Sequence, residues 1–99
     1  MDDIQTRVED HCGMIVLNRP QAINALSLDM IDTLSDVLGQ WSRDDRVSEV
    51  VIAGAGRGFC AGADVRQMRE MILHGSGDPV GFLAREYALN SLIAHYPKP

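Results

Sequence analysis

The stretch VVIAGAGRGFCAGADVRQM, residues Val50–Met68, decides how this chain is read. An apolar β-branched run passes into a loop crowded with glycine, and the loop passes into a helical pattern that starts near Asp64. That order of strand, loop and helix presents unpaired backbone N–H groups at the positive end of a helix, where phosphate, carboxylate or a developing oxyanion binds. Glycine suits such a loop because an amide approaches a ligand closely only where no Cβ intervenes. Two common glycine loops are excluded by counting. A dinucleotide fingerprint needs Gly or Ala five places after its first glycine, and Phe59 stands there relative to Gly54. A nucleotide-hydrolysing phosphate loop needs a Gly-Lys pair, and the chain has none.

On the upstream side, Val47–Ala53 reads as a buried strand and Ser42–Arg46 as a charged exit from a helix capped by Ser27. In that helix Met30, Ile31, Leu34, Val37, Leu38 and Trp41 recur at spacings of three and four, which predicts one buried face. Ile4–Glu9 and Met14–Leu17 read as strands of a hairpin joined at Asp10-His11-Cys12-Gly13, and Asn18–Leu26 as a polar loop broken by Pro20. On the downstream side a helix is expected over Val65–Leu73, then a break at HGSGD, His74–Asp78. Pro79 suits the first turn of a further helix marked by Phe82, Leu83, Tyr87, Leu89, Asn90, Leu92 and Ile93, which ends before Pro97. No internal repeat or low-complexity segment interrupts this order.

The chain has 99 residues, 45% of them hydrophobic, and a net charge of −5, as suits one small globular domain. An acidic balance with no Lys/Arg stripe argues against nucleic acid. No apolar run approaches the ~20 residues that span a bilayer, and the acidic start Met1-Asp2-Asp3 is unlike a secretory signal, so a cytoplasmic protein is expected. Cys12 and Cys60 stand far apart with no second cysteine near either, so a zinc or iron–sulfur spacing is absent and no metal is expected. Cys60 lies inside the glycine loop, but no histidine adjoins it to activate a nucleophile, and a small buried filler is the simpler reading. His11, His74 and His95 are scattered and suggest no ligand or base role.

FCAGAD, Phe59–Asp64, together with LNRPQAINAL, Leu17–Leu26, resembles the enoyl-CoA hydratase/isomerase (crotonase) superfamily. Asn18-Arg19-Pro20, Asn24-Ala25-Leu26, Gly54-Ala55-Gly56 and Ala61-Gly62-Ala63-Asp64 occur in the family's order and spacing. Trp41 with Asp44, and EYALNSLIAHYPKP at Glu86–Pro99, look most like the 3-hydroxyisobutyryl-CoA hydrolase branch. Hydrolases of that branch usually read Gly-Gly-Asp where Gly62-Ala63-Asp64 stands; the alanine is the commoner hydratase form. The resemblance implies an α/β, crotonase-like ββα superhelix, of which residues 1–99 are the N-terminal portion, the C-terminal half being absent. It implies an acyl-CoA thioester as ligand, with coenzyme A part of the substrate and no separate cofactor. The implied reaction is short-chain 3-hydroxyacyl-CoA hydrolysis, the alternatives being enoyl-CoA hydration or isomerisation and a non-catalytic acyl-CoA-binding module.

By the same resemblance, the Ala63 backbone N–H is one of two donors aimed at the thioester oxygen. The amides of Gly62, Ala63 and Asp64 are expected to point into one pocket. Asp64 is either an acidic group near the acyl chain or a helix N-cap. Ala25 and Ala61 would line the pantetheine and adenine with backbone groups, and Arg66 would face the phosphates, with Arg19, Arg57 and Arg69 as further cations. Gln21 stands where many relatives carry a lysine. Phe59 would wall an acyl pocket or plug the space beneath the loop. The second glycine loop and the catalytic carboxylates belong to the family's later portion, and family members commonly form homo-oligomers.

Overall fold

The computed structural model of the chain describes residues 3–56, 58–60, 62 and 64–99, residue 65 as backbone only. Strands β1 (Ile4–Glu9) and β2 (Cys12–Leu17) form an antiparallel hairpin, with Ile4 opposite Leu17 and Glu9 opposite Cys12. The hairpin turn is tighter than the sequence suggests. Pairing runs on to Cys12, so only Asp10 and His11 turn, both with positive φ (50° and 67°), as a two-residue turn matched to strand twist requires.

Helix α1 (Leu28–Ser42) begins where expected: the Ser27 side chain accepts the Met30 N–H at 3.2 Å. Its Met30, Ile31, Leu34, Leu38 and Trp41 are buried against Ile15 and Leu17 of β2, while Val37 stays half-buried at the margin. Strand β3 (Glu49–Gly54) then pairs parallel to β2, giving the sheet order β1-β2-β3. Helices α2 (Val65–His74) and α3 (Pro79–Ala94) follow, with the break between them at Gly75 and Gly77, both at positive φ.

One expectation about burial is corrected. β3 is not enclosed: its residues alternate between exposed and half-buried, and Val51 is 47% exposed. The helices cover only one face of the sheet, and β3 is an edge strand on which the N–H of Val50 donates to the Pro99 carbonyl at 2.8 Å. In α3 only Phe82 and Leu89 are buried, and Tyr87 is 66% exposed. Apolar residues occur all round this helix. After α3, the Tyr96 hydroxyl donates to the Leu38 carbonyl at 2.7 Å and Lys98 Nζ donates to the carbonyls of Trp41, Asp44 and Val47 at 2.5, 2.8 and 2.6 Å. These bonds tie the C-terminal segment to the end of α1 and to the turn that follows it. No helix among the described residues is long and apolar enough to cross a membrane.

Candidate functional site

Two segments, Asn18–Leu26 and Gly54–Asp64, come together at the end of the parallel strands β2 and β3. Pro20–Ala22 makes a short 3-10 turn, and Ile23 and Asn24 follow in the left-handed region with φ of 51° and 54°. That backbone path aims the fully buried Asn24 side chain across the gap. Its oxygen accepts the Arg19 N–H at 2.8 Å, and its nitrogen donates to the carbonyls of Ala55 at 2.8 Å and Gly58 at 2.9 Å. One side chain thus fixes both segments. A Cβ on Gly54 would meet the Phe59 and Gly58 carbonyl oxygens and the Asn24 amide, so glycine is required for the loop to fold back this closely.

The second tie lies at the start of α2. Leu26 donates its N–H to the Gly62 carbonyl and accepts the Asp64 N–H, both at 2.7 Å. Asp64 caps α2, Oδ1 accepting the Gln67 N–H at 3.0 Å, and Oδ2 lies 2.6 Å from Arg19 Nη1. The same Nη1 donates to the Ala25 carbonyl at 3.0 Å. Gln67 in turn accepts the Leu28 N–H at 2.9 Å, joining the starts of α1 and α2. Burial raises the Asp64 pKa, but the Gln67 N–H, the Arg19 hydrogen bond and charge, and the Arg66 N–H together outweigh it and hold the carboxyl below its ordinary value of 3.8.

Because folding lowers this pKa, the stabilisation from the ion pair is complete above the unfolded value and is lost as pH falls through the native one. Asp64→Asn keeps a capping acceptor and removes the charge. It is expected to cost about 2 kcal/mol at neutral pH, discounted from a fully buried pair because Arg19 is partly exposed. In urea titrations the gap to the parent chain should close as pH is lowered below 3.8; a gap constant with pH would show that the pair does not stabilise the fold.

The expected site residues are sorted by this geometry. Ala61 and Ala63 lie outside the described residues, as does Arg57. Of the amides expected to point into a pocket, that of Asp64 is instead paired with Leu26, and that of Gly62 donates to Cys60 Sγ at 3.3 Å. For Gly62 and Asp64 the expectation is therefore corrected: a contact within the glycine loop takes the first donor and the closing of the two segments takes the second. For Asp64 the capping alternative describes the structure. Ala25 donates its N–H to Ala22 at 3.1 Å and accepts from Arg19, leaving one carbonyl lone pair for a ligand. Arg66 and Arg69 are exposed on α2, whereas Arg19, grouped with them on sequence, is held inside by Asp64 and Ala25.

Phe59 is 57% exposed and, with Cys60, borders an apolar cleft lined further by Leu26, Leu34, Ile52 and Leu89. A side chain so exposed does not plug the space beneath the loop. Among the described residues, no group of three or more His, Cys, Asp or Glu is placed to hold a metal ion. The Arg19–Asp64 pair and the Asn24 bridge were missed on sequence. Their only signal was that Arg19, Asn24 and Asp64 all fall within the quoted motifs.

Residues 12–99 match the enoyl-CoA hydratase/isomerase family. Among curated proteins, the chain is 43% identical over 88 residues to the mitochondrial 3-hydroxyisobutyryl-CoA hydrolase of Danio rerio and 38% identical over 88 residues to that of Homo sapiens. In each case the match takes in 88% of this chain and 23% of the relative, so the chain spans about a quarter of their length. Among solved structures, a carnitinyl-CoA dehydratase from Mycobacterium thermoresistibile superposes with TM-score 0.93 at 40% identity, over 100% of this chain and 29% of that one. An enoyl-CoA hydratase from Rhodobacter sphaeroides 2.4.1 superposes with TM-score 0.88 at 36% identity, over 99% and 30%. With the motifs, the clamped loops and these superpositions in agreement, the chain belongs to the enoyl-CoA hydratase/isomerase family and has the crotonase fold of its N-terminal part.

Proposed function

We propose that these residues form the acyl-CoA-binding portion of a short-chain 3-hydroxyacyl-CoA thioester hydrolase acting on substrates like 3-hydroxyisobutyryl-CoA. The observation that carries the reading is the double clamp of Asn18–Leu26 onto Gly54–Asp64 at the start of α2, in a chain whose similar curated relatives bear that hydrolase name. In this reading the Ala63 N–H stabilises the oxyanion that forms as the thioester is attacked, a contribution worth about 3 to 4 kcal/mol for one such donor. The cleft beside Phe59 and Cys60 takes the acyl group. Ala25, Ala61 and Gly62 border the pantetheine and adenine through backbone groups, and Arg66, exposed on the first turn of α2, meets the phosphates. Asp64, as the cap of α2, holds the helix start at which the site is built. Coenzyme A is carried by the substrate.

The second reading is enoyl-CoA hydration or isomerisation, favoured by the hydratase and dehydratase neighbours and by the alanine at position 63. It shares the oxyanion donor and differs in using carboxylates to move protons.

Thioester release from 3-hydroxyisobutyryl-CoA and hydration of crotonyl-CoA separate the readings. Both are assayed with this chain alone and with this chain fused after Pro99 to the remaining residues of the zebrafish hydrolase. The chain alone is expected to give no turnover, because members of a catalytic constellation act as a unit and a fraction of them retains little of the rate. The fusion is expected to release thiol. Multiple turnovers by the clean chain would mean the reacting groups are misassigned, and a fusion that only hydrates crotonyl-CoA would favour the second reading.

A further inference from the structure

The cleft beside the glycine loop has a floor and a rim of different character. Leu17, Leu34 and Leu89, each no more than 2% exposed, form the floor, and Phe59, Asn90 and Ile93 stand exposed around it. Its volume is about 120 Å³. An apolar cavity of about 150 Å³ takes up one benzene molecule, so a cleft of this size suits a small branched acyl group and does not enclose a long chain. Of the described side chains that line it, Asn90 alone carries a nitrogen or an oxygen. The other heteroatom is Cys60 Sγ, which already accepts the Gly62 N–H at 3.3 Å. Helix α3 sets Asn90 there: Ile93 lies one turn on, so the two share a face of the helix beside the buried Leu89. The Asn90 side-chain amide has no hydrogen-bond partner among the described residues, which leaves its N–H groups and its oxygen open at the mouth of an apolar cleft.

We propose that Asn90 selects 3-hydroxyacyl groups over their unsubstituted counterparts: its side-chain amide hydrogen-bonds the 3-hydroxyl of the ligand while the carbon skeleton rests on the leucine floor. The inference rests on the acyl-CoA reading above and names the residue that gives it a preference for the hydroxylated substrate. A hydroxyl both donates and accepts, and an asparagine amide offers a partner for either. Leu17, Leu34 and Leu89 cannot make this distinction, since apolar contact is the same for both kinds of acyl group. The amide is exposed and hydrated before the ligand arrives, so the gain is the small net one of an exchanged hydrogen bond. The steep rejection that follows from leaving a buried polar group unpaired does not arise here. Asn90 takes no part in breaking the thioester; it determines which acyl group is held.

The test is calorimetric titration of 3-hydroxyisobutyryl-CoA, isobutyryl-CoA and coenzyme A into this chain and into Asn90→Leu and Asn90→Ala, each checked for folding by circular dichroism. The two acyl groups share a carbon skeleton and differ only in the hydroxyl. The parent chain is expected to prefer the hydroxylated ligand about fivefold, the scale of one net hydrogen bond. Asn90→Leu should abolish that preference by weakening 3-hydroxyisobutyryl-CoA alone, with isobutyryl-CoA bound as before or more tightly. Because the preference is a ratio taken within each variant, a loss of stability that weakens both ligands alike does not move it. Asn90→Ala decides should the leucine close the cleft: a lost preference supports the proposal and a parent-like one overturns it. A parent chain that binds both acyl-CoAs alike, or a folded Asn90→Leu that discriminates as the parent does, also overturns it and leaves the acyl-CoA reading standing. If none of the three ligands binds the parent chain, the acyl-CoA reading itself falls and takes this proposal with it.

Discussion

Trp41→Ala should lower the stability of the chain by about 3 to 5 kcal/mol, the usual cost of truncating a buried aromatic residue. Trp41 is 8% exposed near the end of α1, and its ring lies directly on the β2 backbone at Gly13. A Cβ at Gly13 would come within 2.5 Å of Cε3 and Cζ3, so the glycine and the indole fit only each other. Removing the ring leaves a cavity against a strand that its hydrogen bonds to both neighbours hold in place, and collapse into the space is limited. The check is the urea midpoint at constant slope. An unchanged midpoint would mean that the contact between α1 and β2 does not hold the fold.

The second large effect is expected at Asn24. Its replacement by alanine leaves the part-buried Arg19 N–H and the Ala55 and Gly58 carbonyls without the Asn24 partner. Each unsatisfied buried group costs about 1 to 3 kcal/mol, so a loss of about 3 kcal/mol or more is expected. The φ of 54° adds to this, since asparagine tolerates the left-handed region better than alanine. Asn24→Gly should recover the backbone part of the loss and none of the hydrogen-bond part. Amide exchange in the Gly54–Cys60 loop reads the local effect: faster exchange is expected in both variants, and exchange equal to the parent's would show that Asn24 does not hold the loop.

The elements were legible where one local signal sufficed. Ser27 followed by apolar residues at helical spacing fixed α1 and its buried face, and Pro79 and the glycines before it fixed the start of α3. β3 was found but its burial was overstated, because a run of valine and isoleucine reads alike whether a strand is covered on one face or two. The glycine loop was found as a site, yet its amides were assigned outward when Leu26 takes that of Asp64 and Cys60 that of Gly62. Nothing local marks such pairings. Arg19 and Asp64 are 45 positions apart, and only the fold brings a cation grouped with Arg57 and Arg69 onto a helix cap. Asn24 was read as part of a motif whose meaning is mechanical, and its three bonds depend on a backbone turn that the residues around Pro20 do not announce.

The bonds of Tyr96 and Lys98 to the end of α1 close loops of 58 and 57 positions for the outermost pairs, Tyr96 to Leu38 and Lys98 to Trp41. Contacts that enclose so much chain pay their closure entropy before they return anything, and so they form late on the folding route. Interactions absent from the transition state do little for the rate of folding and act on the rate of escape from the native state. The latch at the α1 terminus is in this sense a brake: it sets how long the folded sheet and helices persist once made, while the hairpin and α1 govern how quickly they assemble.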